Sequence, residues 1–427
     1  MDLPKGWTNC PLVDANRVIA GQSPESRHYN DKGEGLPFFQ GKTDFGQLYP
    51  TNRIYCTEPK KLAECGDILL SVRAPVGPTN LAKETIAIGR GLNAIRPLGG
   101  ILTRYVLYYF KQIEPVFSGQ GTGTTFSAVT VDDVKNLDFP LPSIAEQHRI
   151  VAKIDALFSE LDKGLEMLET VRQQLRTYRQ AVLKWAFEGK SFDRKPMKEI
   201  STAFGGAAFK SGDFLSEGKY QVIKIGNVRP GVVRLLERPA FIDNIEGYER
   251  YLLQKGDVII TLTGTRKKRD YGFSVIVAQD NLLLNQRVAA IRFSKDYLPK
   301  FFMYYSWTRF FQDDFFAGET GNVGQGNVGM KAITETLIPY CSTEEQSNVI
   351  AAIESRLSIC DKLEAIVDES LDKAKALRQS ILKKAFAGQL VPQDPNDEPA
   401  ERLLERIRAE RTAETKSKST RRKKKNG

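Results

Sequence analysis

Apolar side chains return every seven residues along one stretch of the chain. Ile154, Leu161, Leu168, Leu175 and Val182 form one series, and Ile150, Leu157, Gly164, Val171, Tyr178 and Trp185 a second, interrupted only by the glycine. Steps between the two series alternate four and three, the spacing of a coiled-coil seam. A looser version follows 199 residues later: Ile353, Cys360, Val367, Ala374 and Ile381, flanked by Leu357, Leu363 and Leu377. Each stretch opens after a proline, Pro142 or Pro339, with Ser143-x-x-Glu146 or Ser342-x-x-Glu345. That spacing is a capping box: the serine oxygen takes an orphan helix N–H and the glutamate reaches back to the cap. Each stretch ends at a glycine, Gly189 or Gly388, suited to the left-handed position that stops a helix. The pattern predicts two helices of about 45 residues, roughly 65 Å at the α-helical rise. One such helix has too much apolar face to stand alone. The expected arrangement is an intramolecular antiparallel pair, with two separate surface helices as the alternative.

The same offset of 199 links Pro140-Leu141-Pro142-Ser143-Ile144-Ala145-Glu146-Gln147 to Pro339-Tyr340-Cys341-Ser342-Thr343-Glu344-Glu345-Gln346, and Ala186-Phe187-Glu188-Gly189 to Ala385-Phe386-Ala387-Gly388. No insertion falls between these matches, as a continuous helix demands, because one added residue rotates a face by about 100°. The globular segments repeat less tidily. Gly66-Asp67-Ile68-Leu69-Leu70-Ser71 matches Gly256-Asp257-Val258-Ile259-Ile260-Thr261, each a turn into a buried strand, and Ala94-Ile95-Arg96 matches Ala290-Ile291-Arg292. The aromatic runs Tyr105–Phe110 and Phe301–Tyr305 are assigned to cores, with base stacking as the other option. The fold class is therefore α+β. Residues 1–142 form a first domain and 143–190 a first long helix. Residues 191–341 form a second domain and 342–390 a second long helix. Residues 391–427 form a C-terminal helix and basic tail, the helix resting on the i, i+3, i+4, i+7 spacing of Ala400, Leu403, Leu404 and Ile407.

Composition narrows the function. The 427 residues are 41% hydrophobic, enough for two or three domains, and lack the apolar runs of membrane spans. Met1-Asp2-Leu3-Pro4-Lys5 is no secretory signal. Five scattered cysteines (Cys10, Cys56, Cys65, Cys341, Cys360) argue against a disulfide framework or zinc finger and fit a reducing cytoplasm. A net charge of +10 suggests nucleic acid, but residues 400–427 alone hold 11 basic and 4 acidic side chains, including Arg421-Arg422-Lys423-Lys424-Lys425. The tail reads first as a solvated end.

Enzyme signatures fail one by one. Gly35-x5-Gly41-Lys42-Thr43 has one spacer too many for a P-loop, and places Pro37-Phe38-Phe39-Gln40 where small residues must expose backbone N–H groups. Gly324-x-Gly326-x-x-Gly329 fits a dinucleotide fingerprint literally, but residues 317–323 read as loop where a strand is required. Asp44 with Glu58-x-Lys60 is too short a pattern to define a nuclease metal site. The Pro-Pro-aromatic tetrapeptide of amino-methyltransferases is missing, and His28 and His148, the only histidines, are far apart. His148 falls in the first turn of the long helix, exposed. No catalytic residues and no metal ligands are expected. The chain reads as a part that directs an active site located elsewhere.

Three stretches, GQSPESRHYNDKGEGLPFFQGKTDFG (Gly21 to Gly46), GDILLSVRAPVGPTNLA (Gly66 to Ala82) and the twice-occurring Pro-Leu-Pro-Ser-type helix start, resemble the specificity subunit of type I restriction–modification systems. FKSGDF (Phe209 to Phe214) and VIKIGNV (Val222 to Val228) resemble a second target-recognition domain, and QLVPQDPNDEPAERLLERIRAER (Gln389 to Arg411) the family's ending. The resemblance implies two target-recognition domains, each binding one half of a split double-stranded DNA sequence. It implies paired helices that set the gap between the halves and dock methyltransferase subunits, two of them. Those partners would bring S-adenosylmethionine. Restriction (translocase) subunits would join with ATP and Mg, and no cofactor would sit on this chain.

Candidate DNA contacts follow from residue chemistry: Lys, Arg, Thr and backbone amides for phosphates, and Arg, Lys, Asn and Gln for base edges. In the first domain they are Gln40, Lys42, Thr43, Arg73 and the loop with Gly121, Thr124 and Thr125. In the second they are Lys210, Lys224, Asn227, the run Arg266-Lys267-Lys268-Arg269, and Asn285, Gln286 and Arg287. Ile154, Leu161, Leu168, Leu175, Ile353, Val367 and Ile381 are candidates for helix pairing or subunit docking. A stand-alone DNA-modifying enzyme and a coiled-coil scaffold without DNA binding remain the alternatives at this point.

Overall fold

A computed structural model describes residues 3–117, 128–266, 268–322 and 324–425, with side chains to residue 413 apart from Ser211. The chain divides into two compact units, Met1–Met167 with Ser370–Gly427, and Leu168–Glu369. Both are α+β, and they repeat one topology.

In the first unit a four-stranded antiparallel sheet runs in the order Asn16–Ala20, Leu92–Pro97, Ile68–Ser71, Thr79–Leu81. Its central strand Ile68–Ser71 is buried along its whole length because both faces are covered. Ile68 and Leu70 point to the helix Thr103–Phe117 and its core. Leu69, one residue out of phase, points to a second sheet that carries Phe39, Ile86 and Ile88. In the second sheet Phe38 and Phe39 pair in parallel with Ala87 and Ile88. The second unit repeats this. Its sheet runs Ser201–Gly205, Val288–Phe293, Val258–Thr261, Ser274–Ile276. Val258 and Ile260 face the helical core, and Ile259 faces the other side. Val222 and Ile223 pair in parallel with Leu283 and Leu284. The predicted aromatic runs are core: Tyr105 and Phe110 lie in Thr103–Phe117, Phe301 and Tyr305 in Pro299–Ser306, and all four are buried.

Both long helices form, Ile144–Phe187 and Thr343–Phe386, each 44 residues. Gly189 (φ +72°) and Gly388 (φ +67°) end them in the left-handed conformation that a Cβ disfavours. The helices pair within each unit. In the second, Arg172 meets Asp368, and Arg179 meets Asp361 and Glu364 (2.8 Å to the latter), an antiparallel register. In the first, Arg378 meets Asp162, the same pair displaced by 199 at both ends. Each helix ends in an aromatic plug. Phe187 enters the second core 5.2 and 5.3 Å from the rings of Phe301 and Tyr305. Phe386 enters the first core 5.0 and 5.7 Å from Tyr105 and Tyr109.

Of the predicted seam, Ile154, Leu175, Ile353, Val367 and Ile381 are buried, and Leu161 and Leu168 half-buried. The second series does not complete the seam as expected. Ile150 is buried in the first core, but Val171, Tyr178 and Trp185 are exposed, as are Leu363 and Leu377. Val171, Tyr178 and Trp185 therefore lie outside the strip that the paired helices bury between them. The C-terminal helix Ala400–Lys425 buries Ala400, Leu403, Leu404 and Ile407 in the first core. The residues before it tie back to the same unit: Arg149 Nη2 donates to Asp397 at 2.6 Å, and Gln393 Nε2 to Glu146 at 2.6 Å.

Candidate nucleic-acid interface

Three turns of the first unit converge on a cleft of about 490 Å³. Each adjoins one end of a largely buried strand. Gln40–Thr43 follows Leu36–Phe39, Arg73–Pro75 follows Ile68–Ser71, and Arg90–Gly91 precedes Leu92–Pro97. Main-chain bonds fix them: Gly89 N donates to Phe39 O at 2.8 Å, and Val72 N to Gly91 O at 3.0 Å. A Cβ at Gly91 would stand 2.1 Å from Gln40 O, so the close approach of these two turns requires glycine. Gln40, Lys42, Thr43, Arg73 and Arg90 are exposed around the cleft. No carboxylate among the described residues pairs with Arg73 or Arg90. The neighbouring Arg96 shows the opposite case, with two 2.8 Å bonds to Asp67 and a 2.7 Å contact to Glu64. Arg96 holds the frame together, whereas Arg73 and Arg90 offer their donors outward.

The second unit has a cleft of about 430 Å³ at the corresponding corner, lined by Thr263, Gln286, Arg287, Gly321, Asn322, Gln325 and Asn327. The frame bonds recur. Asn285 N donates to Ile223 O, Leu262 N to Arg287 O at 3.0 Å, and Arg292 is held twice by Asp257, at 2.8 and 2.7 Å. Arg73 bridges to Ala128 as Thr263 pairs with Asn327. Thr263 Oγ1 donates to Asn327 Oδ1 at 2.8 Å, which fixes that amide at the cleft wall.

The structure brings six of the predicted residues to the walls of these clefts and corrects some readings. Gln40, Lys42, Thr43 and Arg73 line the first cleft, and Gln286 and Arg287 the second, with half-buried Asn285 at its edge. Gly121, Thr124, Thr125 and Lys267 lie outside the described residues. Asn227 is not available for DNA. It is 3% exposed; its Oδ1 accepts from Lys224 N at 2.9 Å, and its Nδ2 donates to Arg234 O and Glu237 O. A buried amide must satisfy its polar atoms internally, so Asn227 builds the turn instead. Lys224 is half-buried with Nζ 4.0 Å from the Phe214 ring, and exposed Lys210 belongs to neither cleft. Of the basic run, the described residues Arg266, Lys268 and Arg269 are exposed as predicted, and two of them are partly neutralised. Arg266 Nε donates to Glu319 at 3.1 Å, and Arg269 stands 3.7 Å from Asp313. Part of the segment read as loop before Gly324 is instead the start of a hairpin, Glu319–Thr320 with Gln325–Val328, which also pairs with Thr263–Thr265. Arg90, Thr263, Asn322, Gln325 and Asn327 were missed from sequence. Arg90 could have been found by carrying the match of Ala94-Ile95-Arg96 with Ala290-Ile291-Arg292 back four residues, where it aligns with Gln286.

The comparisons with known proteins follow the same two-fold division. The family model for the type I restriction modification DNA specificity domain matches residues 4–169 and again 190–371. The chain belongs to that family. It is 24% identical over 470 aligned positions to the type I restriction enzyme EcoKI specificity subunit of Escherichia coli, covering 99% of both chains. It is 35% identical over 192 residues to the putative type I restriction enzyme MjaX specificity subunit of Methanocaldococcus jannaschii, a match spanning 44% of each chain. The fold resembles a chain from a solved type I R-M system, with TM-score 0.70 and 18% identity over 91% of this chain and all of that one. It also resembles the HsdS subunit from Thermoanaerobacter tengcongensis, with TM-score 0.53 and 18% identity over 91% of this chain and 98% of that one. No helix among the described residues is long and apolar enough to cross a membrane.

Proposed function

We propose that this specificity-family chain recognises DNA for a type I restriction–modification complex and performs no chemistry itself. Each unit reads one half of a bipartite target, and the long helices set the gap and dock methyltransferase subunits, two in number. S-adenosylmethionine, ATP and Mg belong to the methyltransferase and restriction (translocase) partners. The observation that carries this reading is the twice-built cleft: one strand frame, formed two times, ends in exposed cationic and amide side chains. Such groups are the donors that phosphates and base edges accept. The apolar residues left exposed on the helices, Val171, Tyr178, Trp185, Leu363 and Leu377, favour docked subunits over bare solvent. The test is a genome-wide methylation map with and without the gene, in a host expressing its methyltransferase partner. Loss of one split adenine-methylated motif with a fixed gap is expected. An unchanged map would sink the proposal.

A further inference from the structure

We infer that the position held by Arg90 in the first unit and Gln286 in the second is a base-reading position, Arg90 selecting guanine and Gln286 selecting adenine. This rests on the DNA-recognition reading above and names residues within it. The two side chains occupy the same place in the repeated frame. Both lie in the turn that enters the sheet's second strand, Leu92–Pro97 or Val288–Phe293. Both follow a residue bonded to the parallel strand beside it, Gly89 to Phe39 and Asn285 to Ile223. Both precede a residue whose carbonyl is taken by the neighbouring strand end, Gly91 by Val72 and Arg287 by Leu262. Both are exposed and line a cleft.

The frame is kept and the side chain is exchanged, and the exchange is chemically directional. A guanidinium presents parallel N–H donors that match guanine O6 and N7, while a carboxamide offers the donor and acceptor that match adenine N6 and N7. The surroundings agree. Arg73 adds a second guanidinium to the first cleft, with no paired carboxylate among the described residues. The second cleft is lined by amides, Asn322, Gln325 and Asn327, with Asn327 oriented by Thr263. Arg287 fills the position where Gly91 has no room for a side chain.

The experiment is the methylation map repeated with full-length Arg90→Ala and Gln286→Ala chains, each co-expressed with the partner subunits. Arg90→Ala should relax one guanine position in one half-site, with discrimination at that position falling about 5- to 150-fold, the range of one bidentate base contact. Gln286→Ala should relax one adenine position in the other half-site. The gap and the opposite half stay unchanged in both. Arg90→Lys, which keeps the charge but loses the fork, should retain a weakened guanine preference. A motif of unchanged letters, methylated equally or uniformly less, would overturn the inference, because it means contact to the backbone or none. If the unaltered chain, with an active partner, directs no split motif, the DNA-recognition reading fails and this inference with it.

Discussion

At the start of the second long helix the cap closes on itself. Glu345 N donates to Ser342 Oγ at 3.2 Å, and Ser342 N donates back to the Glu345 carboxylate at 3.1 Å, with both residues exposed. At the start of the first, only the forward bond forms, Glu146 N to Ser143 Oγ at 3.0 Å. Ser143 Oγ donates away to Asp397 at 2.9 Å, and the Glu146 carboxylate accepts from Trp7 Nε1 at 2.9 Å and from Gln393. The same four-residue motif therefore gives a local cap in one unit and a long-range clasp in the other. Burial decides between them: Ser143 and Glu146 are 5% and 3% exposed, beneath the segment that leads to the C-terminal helix. A buried carboxylate with two side-chain donors in reach takes both, and one cap N–H does not compete.

The repeat breaks most visibly at the aromatic plugs. Phe386→Ala should cost about 3–5 kcal/mol in the first unit, and Phe187→Ala a similar amount in the second. Hydrogen exchange should report each loss locally, at the amides of Tyr105–Phe110 or of Phe301–Tyr305. Equal loss in both units from either substitution would mean that they unfold as one.

The clasp comes next. Asp397→Asn removes the charge-assisted bonds from Arg149 and Ser143 and should loosen residues 393–407 by about 1.5–3 kcal/mol. Glu345→Ala, in the self-closed cap, should cost only about 1 kcal/mol and fray one turn. The clasp also carries a pH signature. The Arg149 guanidinium holds the Asp397 carboxyl below its ordinary range. Its contribution is therefore complete above the unfolded value of about 3.9 and is lost as pH falls through the lower folded value. Limited proteolysis of residues 389–411 should show protection down to about pH 4 and release below it. The Asp397→Asn chain should be cleaved already at neutral pH, and identical profiles for the two chains would refute the clasp.

The smallest contrast lies between the helices. Arg179→Ala loses two acidic partners and Arg378→Ala one, so both should cost under about 1 kcal/mol, the former more. Thermal melts that rank them in reverse would show that the 4.8 Å stacking of Arg378 on Phe158 outweighs the second carboxylate.

The helices and the repeat were legible because a constant offset of 199 survives wherever a continuous helix forbids insertions. Between the helices, loops of different length shift the offset to 190 at Gly66 and Gly256 and to 196 at Arg96 and Arg292. There, the correspondence of Arg90 with Gln286 emerges only when strands are paired. Asn227 was misjudged because an asparagine between lysine and arginine looks exposed in sequence. Only the backward turn of residues 228–237 encloses its amide. The altered cap at Ser143 depends on a partner 254 residues away, and no local pattern encodes that.

The turn that carries Arg90 is held by main-chain atoms, as is the turn that carries Gln286. Neither side chain is buried, and neither makes a bond the fold depends on. On the base-reading inference, a codon change at either position rewrites an address while leaving the cores and the helices as they are. Selection acting on what is read is decoupled there from selection acting on what must stay folded, and the chain can change its vocabulary while keeping its grammar.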